Sequence, residues 1–316
     1  MPPVLTGIVC SLVLGGFGLW VTWAIGTVAA VAAGREPDIA VRAPVTLYIM
    51  VGYLPMALYY LGCWTTDHSE TIARQFALEL KPISLSPLIA NVIGAAGALT
   101  MYFLFLHEAD DPLRLFQPGR WSADFIFLLI GLVLMGWFNF RFMFLLVWNA
   151  IAISQTAQDI HKIDLLDVSL VSPYAQHGVR SSLLAVVSLS ISANLWLDPN
   201  SPVIATATTL VMLVAATALA LFLPTWGIHQ RLKAIKQSEL KQIRNAITSR
   251  RDPYTRTVDD AQQLRADLAL EQRLMEISEW PFDARSYGRV LLYVILGLGS
   301  WVGAALVERL LEALGP

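Results

Sequence analysis

The chain has 316 residues, of which 56% are hydrophobic and 15% are charged, and its formal net charge is −2. Soluble domains carry about 25% charged residues, so this composition excludes a single water-soluble core. The near-zero net charge supplies no basic field for a nucleic-acid partner.

Seven apolar runs are each long enough to cross a bilayer, which takes roughly 20 mostly apolar residues. They predict an all-α, polytopic membrane protein with seven transmembrane helices. The first run is too long for a signal peptide and follows no basic residue, so we expect it to be retained. Numbered in chain order, the predicted spans cover residues 7–33, 44–64, 87–107, 121–160, 178–197, 203–226 and 287–307.

Several spans carry local signals beyond their length. Span 2 contains Pro55, which predicts a kink. Span 3 carries Ala90, Gly94 and Ala98 at four-residue spacing, a small-residue stripe for close helix packing. Segment 65–86 alternates apolar and charged residues and predicts a short amphipathic helix on the membrane surface. Span 4 is too long for one crossing, so we expect it to project beyond the bilayer.

The polar block at residues 224–281 is the only long charged stretch of the chain. Span 6 continues into it without a helix breaker apart from Pro224. The turn at 250–257 then precedes a second amphipathic helix, whose apolar residues include Leu268 and Met275. We therefore predict three regions: a six-span membrane region at 1–226, an antiparallel helical hairpin at 227–285, and a seventh span with the outer C-terminus at 286–316.

The basic residues predict the orientation. Placing the polar block in the cytoplasm puts 16 Lys and Arg residues on that side and five on the other. An excess of basic residues marks the cytoplasmic side. With seven spans, the N-terminus is then inside and the C-terminus outside, which is the reverse of a G-protein-coupled receptor.

Span 7 provides the first group of candidate site residues. Its GxxxG pattern at 299–303 favours close contact between helices. The adjoining small and polar face predicts a pore when several subunits meet around one axis, and Glu308 supplies an outer charged ring. Ordinary packing within one chain is the alternative. The pore-lining candidates are Tyr293, Gly297, Ser300, Gly303, Ala304 and Glu308.

Polar residues inside other spans form the second group. Arg141 lies deep in an apolar run, where an ionisable residue is a functional candidate. It is expected either near the membrane midplane or at the cytoplasmic interface, where its side chain reaches the headgroups. The other candidates are Asn91 in span 3, Asn139 in span 4, and Ser188 and Ser192 in span 5.

No enzyme motif is present, and we expect neither an enzyme nor a cofactor. The sequence lacks the nucleotide-binding, nucleophile-elbow, zinc-protease and paired-cysteine signatures. Its five histidines lie at or beyond span ends without a second ligand at helical spacing, so they predict surface histidines and no metal site.

Short segments of the C-terminal half form a recognisable set: WPFD at 280–283, LLY at 291–293, SWVGAALVE at 300–308, GIH at 227–229 and LLD at 165–167. With these segments, the C-terminal half resembles an uncharacterised family of bacterial multi-spanning proteins. This resemblance implies a bacterial inner membrane and no known activity. In architecture alone, the chain is also similar to the insect odorant and gustatory receptor channels, whose last helix lines a tetrameric pore.

Three functions are compatible with these patterns. We expect a homo-oligomeric, ion-conducting channel, with span 7 near the axis and the cytoplasmic helices as subunit contacts. The first alternative is a non-conducting scaffold or sensor that docks a cytoplasmic protein through residues 227–280. The second alternative is a small-solute transporter, which the lack of an internal repeat disfavours. The expected partners are the lipid bilayer and further copies of the chain.

Overall fold

The described residues of the computed structural model form α-helices and two short 3-10 helices, without a strand. Apart from Gly288, predicted span 7 lies outside these residues, and so do its six pore-lining candidates. The structure describes residues 3–32, 42–79, 86–108, 123–160, 163, 165, 168–194, 203–249, 258–277, 280 and 288. The α-helices among them are α1 Pro3–Ala32, α2 Arg42–Phe76, α3 Pro87–Glu108, α4 Ala123–Thr156, α5 Ser172–Ala193, α6 Val203–Ser249 and α7 Val258–Glu276.

Five of the described helices are long and apolar enough to cross a membrane. They correspond to predicted spans 1, 2, 3, 4 and 6. Helix α5 covers most of predicted span 5 but carries many serines, and most of its residues are buried within the bundle. The membrane-compatible stretches are Ile8–Gly26, Pro44–Phe76, Pro87–Leu104, Ile126–Asp159 and Ala207–Ser249.

Helix α2 shows that the predicted surface helix in segment 65–86 is wrong. The helix runs without interruption from Arg42 to Phe76, through Pro55. Its later part is covered by protein, since Ile72 is buried in a cluster with residues of α4 and α6. The helix ends where Ala77 takes the left-handed φ of 50° and the Leu78 N–H donates to the Ala73 carbonyl at 2.9 Å. This bond closes the last turn.

Helices α3 and α4 pack closely through the small residues predicted on span 3. Ala90 and Ala98 are buried. A Cβ atom added at Gly94 would lie 3.0 Å from the Trp137 carbonyl oxygen. The predicted stripe therefore does bring a second helix close, as small residues do in membrane bundles.

Two apolar cores stabilise the bundle. The first lies between α2, α4, α5 and α6 and includes Leu54, Phe142 and Leu213, all fully buried. The second lies towards the polar block, where Tyr174 is buried among residues of α2, α4, α6 and α7. Helices α4 and α6, with 34 and 47 residues, measure about 50 Å and 70 Å, which exceeds the roughly 30 Å of a hydrocarbon core. Their extensions build the second core.

Helix α7 packs against the extension of α6. The Lys236 ammonium donates to the carbonyls of Met275 and Ile277 at 3.2 and 2.8 Å. Further along α6, Arg244 Nε lies 2.7 Å from Glu271 Oε1. Residue numbers rise along α6 while those of the partners fall along α7, as in antiparallel helices. The connecting turn at 250–257 lies outside the described residues, so the hairpin as a whole stays a prediction.

The face that α7 turns towards α6 differs from the predicted one. Leu274, which was absent from the predicted apolar stripe, is 2% exposed. Leu268 and Met275, which belonged to that stripe, are 48% and 50% exposed. The helical period was correct, but the contact with α6 selects a neighbouring face that also contains Glu271. Some apolar side chains of α7 therefore stay uncovered within the described structure.

An aromatic cluster lies where α6 leaves predicted span 6. The His229 and Trp280 rings stack with their centroids 4.2 Å apart, and Trp226 lies 6.2 Å from Trp280. Trp280 therefore lies beside the end of a predicted span. Tryptophan is favoured at the membrane surface, so this position suits the interface.

Candidate functional site: a buried polar seam

Polar contacts join α2 to α5 along much of their shared length. The Asn194 amide donates to Thr46 Oγ1 at 2.6 Å, and the Tyr53 hydroxyl donates to the Leu184 carbonyl at 2.7 Å. Residue numbers rise along α2 and fall along α5, so the two helices are antiparallel. We call these residues the polar seam, together with the methionine and serines between them. Its members are Thr46, Met50, Tyr53, Ser188, Ser192 and Asn194.

The middle of the polar seam contains two of the candidate residues from the sequence. The hydroxyls of Ser188 and Ser192 lie 3.9 and 4.0 Å from the sulfur of Met50. Both serines are buried. Thioether sulfur is a weak acceptor, so these hydroxyls are held loosely and can exchange this partner for a stronger one. The structure thus brings Ser188 and Ser192 together, while their role stays a prediction.

Two histidines extend the same interface towards the polar block. The rings of His68 on α2 and His177 on α5 meet edge to face, with centroids 5.5 Å apart. His68 is 4% exposed and His177 is fully buried. The prediction of surface histidines is therefore wrong for both residues. It failed because each histidine has no second ligand nearby in its own sequence segment, and the second ring comes from another helix.

Hydrogen bonds hold one nitrogen of each ring. His68 Nδ1 donates to the Trp64 carbonyl at 2.5 Å, and His177 Nε2 lies 3.4 Å from the Ser181 hydroxyl. His177 Nδ1 is buried and has no hydrogen-bond partner within the described ranges. His177 precedes predicted span 5, and burial lowers its pKa to about 3, with a further contribution from His68. The ring is therefore neutral at physiological pH.

No larger cluster of ligating side chains accompanies the histidine pair. In the part of the chain that the structure describes, no three His, Cys, Asp or Glu side chains come together as a metal site. The nearby cation is Arg180, whose guanidinium lies 5.9 Å from the centroid of the Trp64 ring.

Asn139 is the least satisfied of the candidate residues. It is 1% exposed, and among the described residues neither its amide oxygen nor its amide nitrogen has a hydrogen-bond partner. It shares one face of α4 with Met135, Phe142 and Leu146, which belong to the core against α2, α5 and α6. A buried amide without a partner costs about 1–3 kcal/mol. Such a group calls for an explanation beyond packing.

Arg141 and Asn91 form a separate pair outside the polar seam. Arg141 Nη1 donates to Asn91 Oδ1 at 3.0 Å, which joins α4 to α3. Asn91 is the fifth residue of α3, which begins at Pro87, so it lies only about 6 Å along the axis from the first. This position of its partner favours the membrane interface, and not the midplane, as the location of Arg141.

These features define the class of the protein. It is a helical protein whose described part contains five helices suited to crossing a membrane, and a buried polar seam joins one of them, α2, to α5. Comparison with known proteins finds no matching family model, curated protein or solved structure. The resemblance to a bacterial membrane family therefore stays a prediction.

Proposed function

We propose that this chain conducts an ion or a small polar solute across the membrane, as the subunit of a homo-oligomeric channel. The observation that carries this proposal is the unpartnered, buried amide of Asn139 in the core beside the polar seam. Polar residues also serve as simple packing contacts between membrane helices. A buried polar side chain inside a membrane bundle is a candidate for a conduction route, where it would bind the permeating species.

The polar seam supports a route through each subunit. Its hydroxyls and amides follow α2 from Thr46 to Tyr53, and only a weak sulfur acceptor holds two of them. Such groups can replace part of the hydration shell of a permeating species without binding it too tightly to leave. The sequence favours a second route, a shared pore around span 7. Substitutions at different residues should block conduction by each of these two routes.

Uncovered apolar residues on α7 support the homo-oligomer. Leu268, Leu270 and Met275 are exposed, although this helix belongs to the charged block outside the predicted spans. In our orientation, these residues face the cytoplasm. A further copy of the chain would remove them from water, which is favourable for any apolar side chain. The same exposed residues suit the alternative of a scaffold that docks a cytoplasmic protein.

Flux through purified protein in liposomes tests the proposal. The assay compares the unaltered chain with Asn139→Leu and Gly303→Leu under a potassium, chloride or proton gradient. Loss of flux in Asn139→Leu alone indicates a route through the subunit, and loss in Gly303→Leu alone indicates a shared pore at span 7. Absence of flux in the unaltered chain under every gradient contradicts conduction and favours the scaffold. A strictly monomeric state in nanodiscs contradicts the homo-oligomer.

A further inference from the structure

Arg141 carries a positive charge that the described protein does not neutralise. One of its five N–H groups donates to a neutral partner, Asn91 Oδ1, and its Nε is buried without a partner. Within the described residues, no carboxylate forms an ion pair with this guanidinium. A charge in an apolar environment is stable only when it is paired or hydrogen-bonded. The counter-ion is therefore expected from outside the described chain.

The surface around this charge is apolar and faces outwards. On α3, Leu88 and Val92 flank Asn91 in sequence and are 71% and 59% exposed. On α4, Trp148 lies seven residues after Arg141 on the same helix face and is also exposed. A charged group that needs an anion thus lies beside a surface that needs apolar cover. A phospholipid offers both within one molecule.

We propose that Arg141 and Asn91 form a binding site for the phosphate group of an anionic phospholipid, whose acyl chains cover Leu88 and Val92. The guanidinium is planar and donates paired hydrogen bonds to phosphate oxygens, and Asn91 holds it in place. Asn91 lies near the start of α3, so the long arginine side chain can reach the level of the headgroups. Basic pockets between helices on the cytoplasmic side bind anionic headgroups in this manner.

Lipid retention by the purified full-length protein tests this site. Native mass spectrometry counts the phosphatidylglycerol and phosphatidylcholine molecules that remain bound when the two lipids, with identical acyl chains, are supplied together. We expect phosphatidylglycerol to be preferred, and Arg141→Gln to weaken its binding by about tenfold, because charge-assisted hydrogen bonds are lost. Arg180→Gln is the matched control, since Arg180 is an exposed arginine on α5, and it should leave the preference unchanged.

Two further measurements distinguish this site from other sources of lipid binding. Asn91→Ala tests the site without removing the charge and should weaken the preference less than Arg141→Gln does. Inorganic phosphate tests the source of the anion: it should not compete with phosphatidylglycerol at millimolar concentration. Equal retention of both lipids, or an Arg141→Gln variant that retains phosphatidylglycerol as the unaltered chain does, overturns the proposal. Displacement of the lipid by inorganic phosphate overturns it in favour of a soluble anion.

Discussion

Replacing Asn139 by leucine should stabilise the folded protein. The amide is 1% exposed, and both of its polar atoms lack hydrogen-bond partners in the part of the chain that the structure describes. Leucine has the same branching point and no polar atom, so the substitution removes the cost of an unsatisfied buried amide. That cost is about 1–3 kcal/mol. Some of the gain is lost because leucine is larger than asparagine, so an increase of about 1 kcal/mol is expected.

Thermal unfolding in detergent measures this change. The melting temperature of Asn139→Leu should rise above that of the unaltered chain. Asn194→Leu is the matched control, because its amide donates to Thr46 Oγ1 at 2.6 Å. Its melting temperature should fall, because a made hydrogen bond is lost and Thr46 keeps an unpaired hydroxyl. A fall of equal size in both variants would refute the reasoning, since it would show that Asn139 has a partner in the folded protein.

Three more predictions follow from particular contacts. Gly52→Ala should destabilise the bundle by about 1–3 kcal/mol, because the added Cβ would lie 2.7 Å from Ser11 Cα. Gly62→Ala, also within α2, meets open space and should be neutral or slightly stabilising. Lys236→Met should release α7, since the Met275 and Ile277 carbonyls lose their donor, and amide hydrogen exchange in 258–277 should accelerate. Burial lowers the pKa of His177 to about 3 in the folded protein. The contribution of this residue to the free energy of unfolding is therefore fully present above about pH 6.5, the ordinary pKa of histidine. It is lost as the pH falls towards 3, because the unfolded chain takes up a proton that the folded protein does not.

Each of these predictions has a clear contrary result. Equal melting temperatures for Gly52→Ala and Gly62→Ala would show that α1 and α2 are further apart than described. Unchanged exchange in Lys236→Met would show that the other contacts of α7, such as Arg244 with Glu271, hold it without the lysine. The loss of stability between pH 7 and pH 5 should be about 2 kcal/mol and should largely disappear in His177→Gln. An equal loss of stability in the unaltered chain and in His177→Gln would assign the pH dependence to another titratable group.

Helix positions could be predicted because they depend on local sequence. Apart from Pro224, no breaker separates predicted span 6 from the polar block, which predicts one continuous helix, and α6 does run from Val203 to Ser249. The Asp252-Pro253 pair predicts a break, and the next described helix begins at Val258. Length, apolar period and breakers are properties of the segment itself. These properties do not depend on which segments pack against it.

Which face of a helix is covered could not be predicted in the same way. The pattern around Ile72 equally fits a surface helix on lipid and an extension buried by protein. The structure shows the second case, because residues of the extended α4 and α6 pack against it. Leu274 is similar: its burial depends on the register between α6 and α7, which Lys236 fixes through the carbonyls at the end of α7.

Of the polar seam, only Ser188 and Ser192 were candidates from the sequence, and their partners were not predicted. Ser188 and Ser192 share a helix face by spacing alone, so their candidacy followed from the sequence. Their contact with Met50 depends on the alignment of α5 against α2. The meeting of His68 with His177 depends on the same alignment. Contacts between segments about 100 residues or more apart leave no periodic signal in a single sequence.

Water access to the polar seam is the most direct test of the account. Ser192→Cys and Val187→Cys are prepared in a chain whose Cys10 and Cys63 are replaced by alanine, and each is exposed to a charged, water-borne thiol reagent in liposomes. Both positions lie on α5, but Ser192 is buried in the seam whereas Val187 is exposed on the outer surface, where we expect lipid. The account predicts that the Ser192→Cys variant reacts and the Val187→Cys variant does not. An unreactive Ser192→Cys variant beside a reactive Val187→Cys variant would contradict conduction along the polar seam.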